Sequence, residues 1–279
     1  MQIDDYRRAS HEVWKAMASG WERWRAEMEV ASAPVRAWLV REFAPQPGET
    51  VLELSAGAGD TGFEIAALLG DQGRLISTDF AAEMVEVARR RGGDLGLTNV
   101  EYRVVDAERI DLEDDSVDGV VCRYGYMLMG DPAAAFAETR RVVRPSGRLA
   151  LAVWAAPERN PWASLGARLL VERGHMPPPE PGAPGIFALA NAERLRPLIE
   201  SAGFTSLHTE EVAVSFSFSS VDEYMQWART TAGALAMVLR SLPEEEIAVL
   251  SGKLEEAFAP FAGDAGYEFP GVALCAVAK

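Results

Sequence analysis

Val51-Leu52-Glu53-Leu54-Ser55-Ala56-Gly57-Ala58-Gly59-Asp60-Thr61-Gly62 is the stretch whose reading decides the fold. A short apolar run with an acid near its end reads as a buried parallel strand. It turns through Gly57 and Gly59 into residues 63–69, which read as an amphipathic helix. Glycines at such a turn let the chain bend tightly and let a ligand lie against bare main chain. The start of the next helix adds unpaired N–H groups and a positive dipole end. The result is a nucleotide cradle.

Its cargo stays open at this level. Gly57 to Gly62 also matches the dinucleotide fingerprint GxGxxG. Asp79, at the end of the next strand, suits the two ribose hydroxyls of any adenosine. NAD, FAD and S-adenosylmethionine all carry one.

Bulk properties narrow the field. The chain has 279 residues, 48% hydrophobic and 25% charged, enough for one large α/β domain with additions. A net charge of −15 argues against nucleic acid and anionic membrane surfaces as partners. Cys122 and Cys275 are too few for a disulfide framework or a metal cluster, so a reducing cytoplasm is the expected setting. No apolar run reaches the ~20 residues of a membrane span, and Met1-Gln2-Ile3-Asp4-Asp5 lacks the basic and apolar blocks of a secretory leader.

Outward from the cradle, the chain alternates. Strands are expected at 50–54, 74–79, 100–105, 117–122 and 148–154, with helices at 61–69, 82–91 and 132–144 between them. Asp131 and Pro132 form a cap and first-turn pair for the last of these. This βαβ alternation implies a mostly parallel, doubly wound sheet. Before it, residues 5–30 carry one apolar stripe, Trp14, Met17, Trp21, Trp24 and Met28, which Gly20 would divide. The stripe either packs on the main domain or acts as a lid, and the two are compatible. A second helix is expected at 34–43 after a Ser32 cap. Beyond Trp154 come a helix at 162–174, the proline-rich loop 177–181, a helix at 192–202 and a strand near 206–214. Capping boxes at Ser220/Glu223 and Ser241/Glu244 suggest two helices in 221–260, and a last strand at 271–278 would lie antiparallel.

Five ordered motifs then carry a resemblance. Glu53-Leu54-Ser55-Ala56-Gly57-Ala58-Gly59, Asp79-Phe80, Asp106-Ala107-Glu108, Asp115-Ser116-Val117-Asp118 and Arg141-Val142-Val143-Arg144-Pro145-Ser146-Gly147-Arg148 resemble class I S-adenosylmethionine-dependent methyltransferases. Within these the likeness is to the small-molecule group that includes ubiquinone and menaquinone biosynthesis enzymes. It covers residues 48–154 firmly and 189–204 loosely. Ser55-Ala56 departs from the more usual Gly-Cys or Gly-Ser pair.

The resemblance implies a seven-stranded, Rossmann-like methyltransferase sheet with an antiparallel last strand and an α-helical cap. Residues 1–45 would form the cap, 46–154 the cofactor-binding core, 155–190 an insert on the substrate side, and 191–279 the rest of the sheet with a helical insert at 220–262. It further implies that S-adenosyl-L-methionine is the cofactor and S-adenosyl-L-homocysteine the product. Glu53 would help hold the methionyl ammonium, and Ser55, Ala56, Gly57 and Gly59 would line the donor. Asp79 would take the ribose, with Phe80 and Met84 near the adenine, and Asp106 and Ala107 would meet its edge, beside Glu108. Cys122 and Arg123 complete the cofactor side. A second acid such as Asp106 has no general use in a nicotinamide enzyme.

The acceptor should approach over the ends of the fourth and fifth strands. There Tyr124, Tyr126, Met127 and Trp154, with Trp14 and Trp21 from the cap, suggest an apolar or aromatic pocket. The Asn-Pro-Pro-Tyr signature of base and amide N-methyltransferases is missing. Candidate bases are thin: His11, Tyr126 and His175 lead, and His208, Glu29 and Tyr6 add little. No metal-ligand spacing is present. The expected function is methyl transfer to O, C or N of a small metabolite. The rivals are an NAD(P)-dependent oxidoreductase and a non-catalytic S-adenosylmethionine-binding protein, and a homodimer through the cap stays open.

Overall fold

The computed structural model describes residues 3–180 and 182–279. Met1 and Gln2, at the start of the chain, and Pro181, in the proline-rich loop, lie outside them. Apolar strand runs and amphipathic helices alternate as β1 (Thr50–Leu54), α3 (Asp60–Leu69), β2 (Arg74–Asp79), α4 (Ala82–Asp94), β3 (Val100–Val104), β4 (Val117–Arg123), α5 (Pro132–Val142) and β5 (Val143–Trp154). Two helices precede them, α1 (Ile3–Arg23) and α2 (Arg25–Phe43). After them come α6 (Pro161–Glu172), α7 (Ala192–Ser201), β6 (His208–Phe218), α8 (Val221–Thr231), α9 (Ala234–Ser241), α10 (Glu244–Phe258), the two-residue β7 (Ala262–Gly263) and β8 (Gly266–Ala278).

The strands form one sheet in the order β3-β2-β1-β4-β5-β8-β6, with β7 joined to β8. Pairings from β3 to β5 are parallel, and β8 runs antiparallel to both β5 and β6. The reversal of strand order falls between β1 and β4. Crevices at such points, at the carboxyl ends of the strands, are where these sheets hold ligands.

Local chemistry explains most boundaries. Asp131 caps α5 by accepting the Ala134 N–H at 3.0 Å, ahead of Pro132. Ser220 caps α8 by accepting the Glu223 N–H at 3.1 Å. Ser241 caps nothing. Its hydroxyl turns back to the Val238 carbonyl, and α10 begins after Pro243. The region therefore holds three helices rather than two, divided at Gly233, whose φ of 57° suits a residue without Cβ.

The amino-terminal helices also divide elsewhere than the sequence suggests. α1 runs unbroken through Gly20, and the break falls at Trp24. Gly20 serves packing: a Cβ there would lie 1.9 Å from the Thr230 carbonyl oxygen, so only glycine lets α1 approach α8 this closely. Pro34 lies inside α2. Its missing N–H takes one bond from the helix at the Val30 carbonyl, and Val30 is 79% exposed. α2 itself packs across the sheet, with Val35, Trp38, Leu39 and Phe43 buried.

Candidate functional site

The β1–α3 loop is held from beneath by Glu53. Its Oε1 accepts the Gly62 N–H at 2.7 Å, and its Oε2 accepts the Ser77 hydroxyl at 3.0 Å. The side chain is 3% exposed, and burial pushes its carboxyl up to about 7. Gly62 makes this reach possible, because a Cβ there would stand 2.1 Å from the Glu53 Oε2. The loop above turns through Ser55 (φ 53°), Gly57 (φ 55°) and Gly59 (φ 86°).

Asp79, at the end of β2, faces the same loop. One carboxylate oxygen accepts the Gly57 N–H at 3.1 Å and the other the Ala81 N–H at 3.0 Å. The residue is 7% exposed, and burial raises its carboxyl to about 6. Each oxygen keeps a lone pair. The space where a Gly57 Cβ would stand has no atom within 4 Å. A fixed acceptor pair beside open room against bare main chain fits the ribose of an adenosyl group.

α1 lies over this end of the sheet. Ala18, Ala81 and Met84 form a small apolar cluster with Trp14 and Trp21, and the His11 ring meets Phe80 edge-on at 5.7 Å. Two latches hold the helix. At one end Tyr6 donates to the Leu128 carbonyl at 2.7 Å, and Arg7 pairs with Glu108, which also accepts the Gly130 N–H at 2.7 Å. At the other, Trp21 donates to the Thr231 carbonyl at 3.2 Å and Trp24 to the Thr230 hydroxyl at 3.1 Å. Glu108 is thus an anchor for the cap. Asp106 is exposed and turns its carboxylate to the Glu108 N–H, while Ala107 is buried.

At the end of β4 Tyr124 (φ 65°) stacks on Trp154 at 4.1 Å and 11°. Trp154 meets Trp162 edge-on at 4.8 Å, and Trp162 stacks on Phe216 at 4.0 Å. The Tyr124 hydroxyl is buried beside Ser32 without a hydrogen bond of ordinary geometry. Tyr126 lies elsewhere. It is fully buried, stacked on Phe136 at 4.1 Å and bonded to the Thr139 hydroxyl at 2.6 Å, which makes it core rather than a wall of the site. Met127 is 3% exposed. Cys122 packs against Ser55 and Gly125, and burial pushes its thiol up to about 12.

The histidines are scattered. His175 bonds Glu246 at 2.8 Å, where α6 meets α10. His208 stacks on Trp38 at 6.3 Å. Of the three, His11 alone borders the site. Among the described residues no group of three His, Cys, Asp or Glu side chains is placed to hold a metal, and no helix is long and apolar enough to cross a membrane.

Sequence reasoning missed a polar network beside the loop. Arg123 donates to Glu29 at 2.5 Å, Glu29 also pairs with Arg36, and Arg36 reaches Glu64 at 2.8 Å. Arg25 and Arg91 both hold Asp60, at 3.2 and 2.6 Å, and Arg91 also bonds the Ala58 carbonyl. Arg25, Glu29, Arg36, Asp60, Glu64 and Arg91 border a cleft of about 300 Å³ between α2, α3 and α4. The only signal in the sequence was the spacing of Arg25, Glu29, Ser32 and Arg36 on one helix face.

This strand order, with a carboxylate-held glycine loop and an acid at the end of β2, is a Rossmann-like fold shared with solved S-adenosylmethionine-dependent methyltransferases. Comparison with known proteins agrees: residues 45–167 match the family model for a methyltransferase domain. Residues 45–167 are thus a methyltransferase domain, and the likeness is to S-adenosylmethionine-dependent methyltransferases. It is 32% identical over 147 residues to a demethylmenaquinone methyltransferase of Clavibacter sepedonicus, covering 52% of this chain and 58% of that one. It is 36% identical over 108 residues to an arsenite methyltransferase of Halobacterium salinarum, covering 39% and 28%. The chain thus spans less than two thirds of either relative. The solved structure of YcgJ from Bacillus subtilis shares the fold, with a TM-score of 0.60, 20% identity, and coverage of 88% of this chain and 97% of that one.

Proposed function

We propose that this chain binds S-adenosylmethionine and transfers its methyl group to a small, apolar or aromatic acceptor. The observation that carries the reading is Asp79, held by two main-chain N–H groups at an open glycine loop and roofed by α1. When bound, the cofactor supplies a methyl group on a cationic sulfur, already activated for in-line displacement. The protein's task is then to align, enclose and exclude water.

Its residues divide that task. Asp79 binds the ribose hydroxyls, and the main chain of Ser55, Ala56, Gly57 and Gly59 lies along the donor. Phe80 and Met84 press on the adenine, and Asp106 and Ala107 meet its edge. The cap helix, with Trp14 and Trp21, keeps water out. Tyr124, backed by the buried Trp154, offers the acceptor an apolar wall at the crevice. This wall suits an aromatic acceptor such as a quinol, the kind of molecule named for the demethylmenaquinone relative. It does not suit the acceptor named for the arsenite enzyme. Arsenic(III) is soft and seeks thiolates, whereas Cys122 and Cys275 are fully buried on different strands, with thiols raised to about 12.

The test is release of S-adenosylhomocysteine on a panel of hydroquinones, phenols, amines and carboxylic acids. Turnover on hydroquinones or phenols supports the proposal. Bound donor with no turnover on any acceptor would favour a non-catalytic binder instead.

A further inference from the structure

The segment beyond the acceptor wall is held from outside. After Tyr124 the chain makes one 3-10 turn, Tyr126–Leu128, before α5 begins. Three separate pieces of the chain bond to it and to the residues just after it. The Leu128 carbonyl accepts the Tyr6 hydroxyl of α1 at 2.7 Å. The Gly130 N–H donates to Glu108, which lies between β3 and β4, at 2.7 Å. The Met127 carbonyl accepts the Gly185 N–H at 2.9 Å, from the stretch 183–190 that follows the proline-rich loop.

Glu108 joins the cap and this segment through one carboxylate. Its Oε1 takes the Gly130 N–H, while its Oε2 takes the Arg7 guanidinium of α1, with Nε at 3.1 Å. The Glu108 side chain is 4% exposed and that of Arg7 38%. A buried carboxylate deprived of its cation is strongly destabilised. The first turns of α1 therefore cannot lift without disturbing Glu108, and with it Gly130. The approach is also close, since a Cβ on Gly130 would meet Ile3 and Tyr6 at 3.3 Å. The apolar cluster beneath α1, made of Ala18, Ala81 and Met84 with Trp14 and Trp21, stands apart from the main core. A helix held by such a satellite cluster can undock at less than the cost of global unfolding.

We propose that Glu108 is a positioning residue that couples the cap helix to the acceptor side of the site. Docking of α1 over the donor fixes residues 126–130 through Glu108 and Tyr6, and these fix residues 183–190 through Met127. This rests on the donor reading above and adds to it a mechanical link between the two halves of the site.

Hydrogen–deuterium exchange, with and without saturating S-adenosylhomocysteine, tests the link. In the wild type the ligand should slow exchange in residues 3–23, 125–131 and 183–190 together, besides the donor-binding residues 50–84. In Arg7→Gln and Glu108→Gln the slowing should persist at 50–84 and be lost from 125–131 and 183–190. Release of S-adenosylhomocysteine, followed by stopped flow, should quicken by about tenfold in both, the low end for a hydrogen bond to a charged group because Arg7 is partly exposed. Arg7→Lys, which keeps the charge, should restore part of both effects. Slowing confined to 3–23 and 50–84 in the wild type, or variants that keep the wild-type pattern, would overturn the proposal. Faster exchange throughout the sheet of the ligand-free variants would make Glu108 merely structural and overturn it too. Failure of the wild type to bind S-adenosylhomocysteine in calorimetry would remove the donor reading itself, and this proposal with it.

Discussion

Replacing Gly62 by alanine should damage the protein, although the same change in an ordinary helix helps it. Gly62 lies in α3, where alanine is favoured over glycine by about 1 kcal/mol. Here the new methyl carbon would stand 2.1 Å from the Glu53 Oε2, 2.6 Å from its Cδ and 2.8 Å from the Leu75 Cδ2. Glu53 is packed under the loop, so it must leave or the helix must shift. Overpacking of a core costs about 1–3 kcal/mol, and leaving the Gly62 N–H unpaired costs about 1–3 kcal/mol more. After the gain in helix propensity the balance is about 3 kcal/mol of destabilisation. At roughly 2–4 °C per kcal/mol for a large domain, the melting temperature should fall by about 6–12 °C. Differential scanning calorimetry reads the shift, and the loss of loop geometry should also abolish S-adenosylhomocysteine binding. A melting temperature that is unchanged or raised would refute the account of Glu53 as the loop's support.

Three further expectations follow from the same contacts. Burial raises the Glu53 carboxyl from its ordinary 4.5 to about 7, so the stability it contributes is fully present below about 4.5 and lost as pH rises through about 7. Relative to Glu53→Gln, which keeps an acceptor for Gly62 and a partner for Ser77, the wild type should therefore lose about 3 kcal/mol between those limits; a pH-independent difference in urea denaturation would contradict this. Gly20→Val drives a side chain into the Thr230 carbonyl, so hydrogen exchange across residues 3–23 should accelerate and S-adenosylhomocysteine should dissociate faster, whereas unaltered exchange would mean that α1 does not depend on this contact. Tyr126→Phe removes one buried bond to Thr139 and should cost about 1 kcal/mol without changing S-adenosylhomocysteine affinity; a drop in affinity at intact stability would return Tyr126 to the site.

Much of this was legible because parallel strands buried on both faces read as continuous apolar runs. Val51 to Leu54 and Val117 to Cys122 could be read as strands for that reason. Asp131-Pro132 and Ser220/Glu223 announced helix starts because capping is local. Ser241/Glu244 misled because a capping box needs only spacing to match, while Pro243 between them moved the start of the helix. Gly20 misled in the same way, since one helix–helix contact outweighed the local preference of the residue. The pairs that shape the site, Arg7 with Glu108 and Arg123 with Glu29, join residues 101 and 94 positions apart, and no local pattern encodes them. Tyr126 shows the same limit in reverse: it neighbours Tyr124 in sequence, yet the backbone turn at Tyr124 sends one ring to Trp154 and the other beneath α5.

The most direct test of the central claim is calorimetric titration of the wild type and of Asp79→Asn with S-adenosylmethionine, S-adenosylhomocysteine and NAD. The account predicts that both adenosyl sulfur compounds bind the wild type, that NAD does not, and that the substitution removes the binding. Binding of NAD alone would contradict it and make the chain a dinucleotide-binding protein.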